Sequence, residues 1–406
     1  MQNEGVSMVK NSNKQNSITF IATRFYPTDD GVGNSTIAFC KSLAEKGYKI
    51  DVITAKREIR QASFEKYENI NIYRLFRGKM KFGGLGLWNI IRLVIWDFWR
   101  ILYKLKQLNP DLICGIFLWY GVLSAIGGKL LDKISITYAH GSDIDEVYGM
   151  FKKLITWFSI KYNDIVITTN EEFKNKINKR IKDKKIYILP NIVEELKPSM
   201  SREGYREKLK LYDNKFHLVA VGRLVKVKGI ETKGISYIIK AMKSLDNCIL
   251  HIFGEGPLRK DYEEYIRKNA IQYKVKFYGN VSRETLFEFM KAADVLVFPS
   301  LTEGLSMTFI GALALKLPVI VTKVGGARDY IVDGENGLFV ERKSAESIMD
   351  AVKKLQSDEI LRKKLSENGY KTYINNFTSE SVVKKFEEIL NTSLNNKGVI
   401  LRGHCY

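Results

Sequence analysis

Cysteine is scarce in this chain: four in 406 residues, at positions 40, 114, 248 and 405, with no CxxC pair. That spacing offers no zinc site. Cys114 and Cys248 sit inside apolar runs and read as small buried hydrophobes, as expected in a reducing compartment. Proline is also sparse, at seven, and a composition of 45% hydrophobic and 27% charged residues excludes a disordered or fibrous protein. The formal charge is +20, which by itself suits nucleic acid, an anionic membrane or an acidic small ligand. No compact Lys/Arg tract accompanies it, which argues against a nucleic-acid arm. The nearest, residues 179–185 (KRIKDKK), reads as a solvated helix end before a strand, with a membrane or acceptor contact as the alternative. Residues 1–16 are polar and lack the apolar stretch of a signal peptide. The longest apolar segment, 85–103, is interrupted by Arg92, Asp97 and Arg100 and makes a poor spanning helix. The expectation is a cytoplasmic protein, with peripheral contact to an anionic membrane left open.

What is present is a long alternation of short apolar runs and helical patterns. Residues 17–22 (SITFIA) form a first run, followed by a loop at 27–33 (PTDDGVG), a helical pattern through Ile37, Cys40 and Leu43, and a second run at 49–54. Strand, glycine-containing loop, helix and strand make a βαβ unit and imply a parallel sheet. The alternation continues through runs at 111–114, 135–138, 165–168 and 186–189. It changes character at 190–214, where charge is dense, and resumes at 216–221, 249–253, 275–278, 295–298 and 319–321. The length exceeds what one core supports. The pattern predicts two doubly wound α/β domains, 17–195 and 196–375, after a polar tail at 1–16. A C-terminal segment, 376–406, is expected to cross back toward the first domain. Ligands of such domains lie at the carboxyl ends of the strands, facing a shared cleft.

Three strand ends carry chemistry-bearing residues. Residues 221–229 (VGRLVKVKG) bring Arg223 and Lys228 to the end of a strand, with Gly222 allowing the backbone to turn; read blandly, this is a basic loop in a basic protein. Residues 298–304 (FPSLTEG) place Glu303 and Gly304 ahead of a helix expected over 305–315, whose free N–H groups at Leu305, Ser306 and Met307 suit a phosphate. Glu303 read alone is an ordinary helix-start acid. Residues 138–143 (YAHGSD) place His140 at a strand end before Gly141. Lys, Arg and helix-start N–H groups are what neutralise a diphosphate without a metal.

These motifs resemble the retaining glycosyltransferases of the GT-B fold, family 4. The resemblance rests on 222–229, 254–257 (GEGP), 293–304 (ADVLVFPSLTEG), 317–320 (LPVI) with Gly325 and Gly326, and 333–337 (DGENG). The first domain matches more loosely, through the Gly31–Gly33 loop and His140-Gly141, so that residues 17 to 390 are covered roughly. The resemblance implies that Arg223 and Lys228 pair with the diphosphate of a UDP- or GDP-sugar and that Glu303 contacts donor-sugar hydroxyls. It implies that His140 hydrogen-bonds the sugar from the opposite domain. Gly31 and Gly33 would lie near phosphates or acceptor, and Gly222, Gly279 and the residues opening the 305 helix would line the donor site. It further implies retention without a protein nucleophile, no cofactor, no metal, and a saccharide or lipid-linked acceptor.

Two departures stand out. The family's second glutamate, which holds the ribose, is replaced by Gly311, and Lys316 replaces a small glycine. Lys228-Gly-Ile230 is nearly repeated as Lys233-Gly-Ile235: spacing from Arg223 favours Lys228, spacing to the following helix favours Lys233, and Lys228 is taken first. Asp143-Ile-Asp145 resembles the metal motif of the other glycosyltransferase fold and reads here as a loop of exposed acids. Within 88–106, Trp88, Ile91, Ile95, Phe98, Trp99 and Leu102 share one broad face with basic residues between them. That helix suits a core layer or a membrane interface. A weakened scaffold subunit and a nucleotide-sugar epimerase are the competing readings.

Overall fold

The computed structural model describes residues 15–28, 30–58, 60–77, 96–145, 150–195, 198–211, 214–227 and 229–395. The first domain runs β1 (Ser17–Ala22), α1 (Gly31–Glu45), β2 (Lys49–Lys56), β3 (Phe64–Tyr67), β4 (Ile70–Arg77), α2 (Phe98–Leu108), β5 (Leu112–Ile116) and α3 (Leu118–Leu131). It continues with β6 (Ile134–Ala139), α4 (Ser142–Asp145), α5 (Met150–Tyr162), β7 (Ile165–Thr168), α6 (Glu171–Asn178) and β8 (Ile186–Ile188). Its eight strands lie in the order β3-β4-β2-β1-β5-β6-β7-β8, parallel except for β3. Every residue of β1 is buried, because helices cover both faces. Phe20 and Ala22 pack toward α1, Ile21 toward α2 and α3.

The second domain holds α7 (Arg202–Lys208), β9 (Phe216–Val221), β10 (Lys226–Val227), β11 (Ile230–Glu231), α8 (Ile235–Ala241), β12 (Cys248–Phe253), α9 (Arg259–Lys268) and β13 (Val275–Gly279). Then come α10 (Arg283–Ala292), β14 (Val295–Phe298), α11 (Met307–Ala314), β15 (Val319–Thr322), α12 (Gly325–Tyr330), β16 (Leu338–Val340), α13 (Ala345–Ser357), α14 (Glu359–Asn376) and α15 (Ser379–Asn395). The order β13-β12-β9-β14-β15-β16 is a second parallel, doubly wound sheet. Two Rossmann-like domains in tandem constitute the GT-B architecture. Helix α15 packs on α1 of the first domain, with Phe386 edge-on to Phe39 at 5.1 Å.

Several local expectations are corrected. The β3–β4 hairpin was hidden because Arg74 interrupts the apolar alternation of β4; it is buried all the same, donating to the Tyr26 carbonyl at 2.7 Å and pairing with Glu65 at 2.7 Å. Gly31 and Gly33 lie in the first turn of α1 rather than in a loop, since Asp30 caps that helix through the Gly33 N–H at 2.9 Å. Helix α11 begins at Met307, after the 305 start expected: Ser306 is extended and caps it, and the Leu305 carbonyl is taken by the Asn191 side chain at 2.8 Å. The repeated Lys-Gly-Ile segment contains a two-stranded antiparallel hairpin, β10–β11, pairing Val227 with Ile230. Lys228 falls outside the described residues, as do Trp88, Ile91, Ile95 and Cys405. Trp99 does not share the buried face of its helix: Ile101, Leu102 and Leu105 point inward and Trp99 outward. Asp143 is not an exposed acid but a buried one, for reasons given next.

Candidate active site

Strand β6 delivers His140 to its carboxyl edge. The backbone there is fixed by Asp143, whose carboxylate accepts N–H groups from His140 at 3.1 Å, Gly141 at 2.9 Å and Leu118 at 2.8 Å. One side chain thus ties the end of β6 to the start of α3. Burial raises the Asp143 carboxyl to about 6 despite those three donors. The His140 ring lies 4.1 Å from Tyr138 and 5.6 Å from Phe117, centroid to centroid. Both of its nitrogens are buried without a hydrogen-bond partner among the described residues. Burial pushes its pKa down to about 3, with nearby Asp30 opposing, so the imidazole is neutral at pH 7. A buried imidazole with two unused polar atoms is a group that a ligand can satisfy.

Phe117 was missed by the sequence reading. Its φ of 71° lies where L-residues are strained, at a cost on the order of 1–3 kcal/mol. Hydrogen bonds hold it there, from its N–H to the Tyr138 carbonyl at 2.8 Å and to its carbonyl from Tyr120 at 3.1 Å. Nothing in the local sequence marks a phenylalanine for such a conformation.

On the opposing domain, β9 and β14 are neighbours, so the loops leaving Val221 and Phe298 emerge side by side. Arg223 follows β9, exposed, with no side-chain partner among the described residues. Lys233 extends across Gly222, where any Cβ would sit 2.6 Å from the Lys233 side chain, lies 5.1 Å from the Phe298 ring, and forms an ion pair with Glu303. Glycine at 222 is therefore what lets Lys233 reach Glu303. The residues after Glu303 are held by the second glycine pair: Gly325, at φ +50°, would clash through a Cβ with the Glu303 and Gly304 carbonyls, and the Gly326 N–H donates to the Gly304 carbonyl at 2.6 Å. Gly279 ends β13 and accepts the Gly254 N–H at 2.8 Å.

The two halves meet. A Cβ on Gly304 would stand 3.4 Å from the His140 carbonyl and 3.2 Å from Phe173, and one on Gly31 would stand 3.5 Å from Met307 in the first turn of α11. Close by, Glu172 accepts the Gly325 N–H at 3.0 Å and Asp329 accepts the Glu171 N–H at 2.7 Å, joining the start of α6 to α12. Glu171, Glu172 and Phe173 were not singled out from sequence; their visible mark is the Asn170 cap that starts α6 after β7. The structure thus gathers His140, Gly31, Glu303, Gly304, Met307 and Lys233 at one junction. Gly311 is separate from these contacts: it is buried within α11, its Cβ direction pointing at Phe287, 3.4 Å away. Among the described residues no group of three or more His, Cys, Asp or Glu gathers to hold a metal ion.

Two facing Rossmann-like domains with a site at their junction are the arrangement of the GT-B class. Residues 30–195 match the sequence model of Glycosyltransferase Family 4, and residues 201–372 match that of Glycosyl transferases group 1. An uncharacterized glycosyltransferase of Methanocaldococcus jannaschii is 29% identical over 272 residues, 65% of this chain and 72% of that protein. The capsular polysaccharide biosynthesis glycosyltransferase CapM of Staphylococcus aureus is 31% identical over 240 residues, 56% of this chain and 62% of that protein. Among solved structures, Anabaena HepE in complex with UDP superposes with a TM-score of 0.73 at 13% identity, covering 93% of this chain and all of that one. The chain belongs to the group 1, family 4-like glycosyltransferases.

Proposed function

We propose that this enzyme transfers a hexose-type sugar, with retention of anomeric configuration and without a metal, from a UDP- or GDP-sugar to a saccharide or lipid-linked acceptor in polysaccharide or glycoconjugate assembly. The observation that carries this reading is the Lys233–Glu303 pair, set beside Gly304 where it meets His140 of the other domain. In the reaction the bond from the anomeric carbon to the β-phosphate oxygen breaks and an acceptor hydroxyl bonds to the same face of that carbon. Its proton passes to the departing phosphate oxygen. The protein's task is to stabilise the charge that develops on the diphosphate, and exposed Arg223 together with Lys233 supplies positive charge there. Lys228, the first choice from the sequence, remains a second candidate for that contact. Glu303, held in its pair with Lys233, contacts sugar hydroxyls. Neutral His140 offers one donor and one acceptor to the sugar from across the junction. The UDP held by HepE and the capsular pathway named for CapM support the donor and product classes.

Arg223→Ala, Lys233→Ala and Glu303→Ala, assayed against a panel of nucleotide sugars by mass spectrometry in the presence of chelator, test the reading. Each is expected to lose about 100-fold or more in turnover. Unchanged turnover in all three contradicts it.

A further inference from the structure

The surface that remains after the donor site is accounted for has one anomalous face. Helices α2, α3 and α5 pack side by side on one side of the first sheet, and none of the three contains an Asp or Glu. The layer on the other side is mixed in sign, with Glu45 in α1 and Glu380, Glu387 and Glu388 in α15. Helix α6, in the same layer as α2, α3 and α5, carries Glu171 and Glu172, but the α2–α3–α5 face is free of acids and exposes large aromatic and aliphatic side chains: Trp96, Trp99 and Tyr103 are 69%, 63% and 66% accessible, and Leu154, Trp157 and Tyr162 stand out on α5. Between them Arg100, Lys106, Lys129, Lys153 and Lys161 are exposed. Lys161 lies over the Trp157 ring at 4.6 Å, so the cation and the aromatic form one surface.

Exposed tryptophans at this density are unusual for a face that meets only water. Tryptophan and tyrosine with one apolar and one polar end, interleaved with lysine and free of acids, match the headgroup layer of a bilayer carrying anionic lipid. Among the described residues no helix is long and apolar enough to cross a membrane, so the contact is one of lying on the surface. The placement is functional. Helix α2 ends just before β5 and α5 just before β7, so both begin at the carboxyl edge of the sheet, the edge that carries His140. Trp96, Trp99 and Lys153 are therefore at the end of the face nearest the acceptor side of the site.

We propose that the α2–α3–α5 face seats the enzyme on an anionic bilayer. This deepens the lipid-linked branch of the proposed function, because it brings the first domain's strand ends to the layer where a lipid-borne hydroxyl resides.

Flotation of the full-length protein with phosphatidylcholine vesicles, with and without phosphatidylglycerol, tests it. Wild type is expected to float with the anionic vesicles, less with neutral ones, and less as salt rises. Lys153→Gln and Lys161→Gln are each expected to reduce partitioning about fivefold. Trp99→Ala with Trp157→Ala is expected to reduce it about tenfold or more, with unchanged melting and unchanged donor turnover on a water-soluble acceptor. Equal flotation of wild type and the tryptophan variant overturns the proposal. So does wild type that binds no anionic vesicle but binds RNA, or that forms a dimer which the same tryptophan changes dissolve. Vesicle binding needs no catalysis, so loss of turnover with flotation intact speaks against the transferase reading alone.

Discussion

Lys233, which follows β11, reaches across Gly222 to pair with Glu303, which follows β14, so two loops of the second domain share one charge pair. Each partner is about one-fifth accessible, and the Phe298 ring flanks the ammonium. Removing one partner leaves the other without its counter-charge, so the effects of the two changes are coupled. Lys233→Ala and Glu303→Ala are each expected to lower kcat/KM about 100-fold or more, and the double variant to fall well short of the product. Steady-state kinetics of the four proteins measures the coupling; full multiplicativity would show that the pair does not act as a unit.

Gly311 stands inside α11 with room for a Cβ, since the nearest side-chain atom would lie at an ordinary contact distance of 3.4 Å. Gly311→Ala is expected to stabilise the protein by about 0.5–1 kcal/mol, the helix-interior difference between the two residues. Gly311→Glu is expected to tighten nucleotide binding by restoring a carboxylate for the ribose. Calorimetric melting reads the first outcome and titration with UDP and GDP the second. A fall in affinity would mean that Phe287 keeps the carboxylate out of the nucleotide site.

Lys316 adopts φ +58°, the left-handed region, at the end of α11. Its ammonium pairs with Glu367 at 2.9 Å, but both partners are substantially exposed and the pair contributes little. Lys316→Gly is expected to be neutral or to stabilise by up to about 1 kcal/mol, because strain relief exceeds the lost pair. A clear drop in melting temperature would contradict this.

Acid should destabilise the protein in a defined window. His140 and His251 are both held near 3 by burial, and His251 bridges His217 and the Tyr278 hydroxyl at 2.9 Å each. As pH falls below the ordinary value of 6.5 the unfolded chain takes up protons that the folded chain refuses, so stability is lost from there down to about 3. Asp143, raised from 3.8 to about 6, opposes this between those two values. Each histidine contributes a slope of at most about 1.4 kcal/mol per pH unit. Urea melts of wild type and His140→Phe across this range check it: the variant should show the shallower loss.

The runs at 216–221 and 295–298 were legible as β9 and β14 because parallel strands covered on both faces are predominantly apolar. The hairpin β10–β11 was not, since two-residue strands carry no periodicity. His140 and Glu303 were visible as residue types at strand ends, and Lys233 as the second Lys-Gly-Ile copy leading into a helix. The ion pair between Glu303 and Lys233 was not, because it depends on Gly222 having no side chain to obstruct it. Phe117 and Glu172 were invisible for a related reason: one acts through backbone strain and the other through a contact with Gly325, more than a hundred residues away.

The most direct test of the account is calorimetric titration of UDP and of uridine, in chelator, into wild type, Lys233→Ala and Arg223→Ala. If cations of the second domain receive the pyrophosphate, UDP binds wild type at least about tenfold more tightly than uridine does, a difference of about 1.4 kcal/mol, and that advantage shrinks in both variants. UDP binding no better than uridine to wild type, or an advantage untouched by both substitutions, would contradict it.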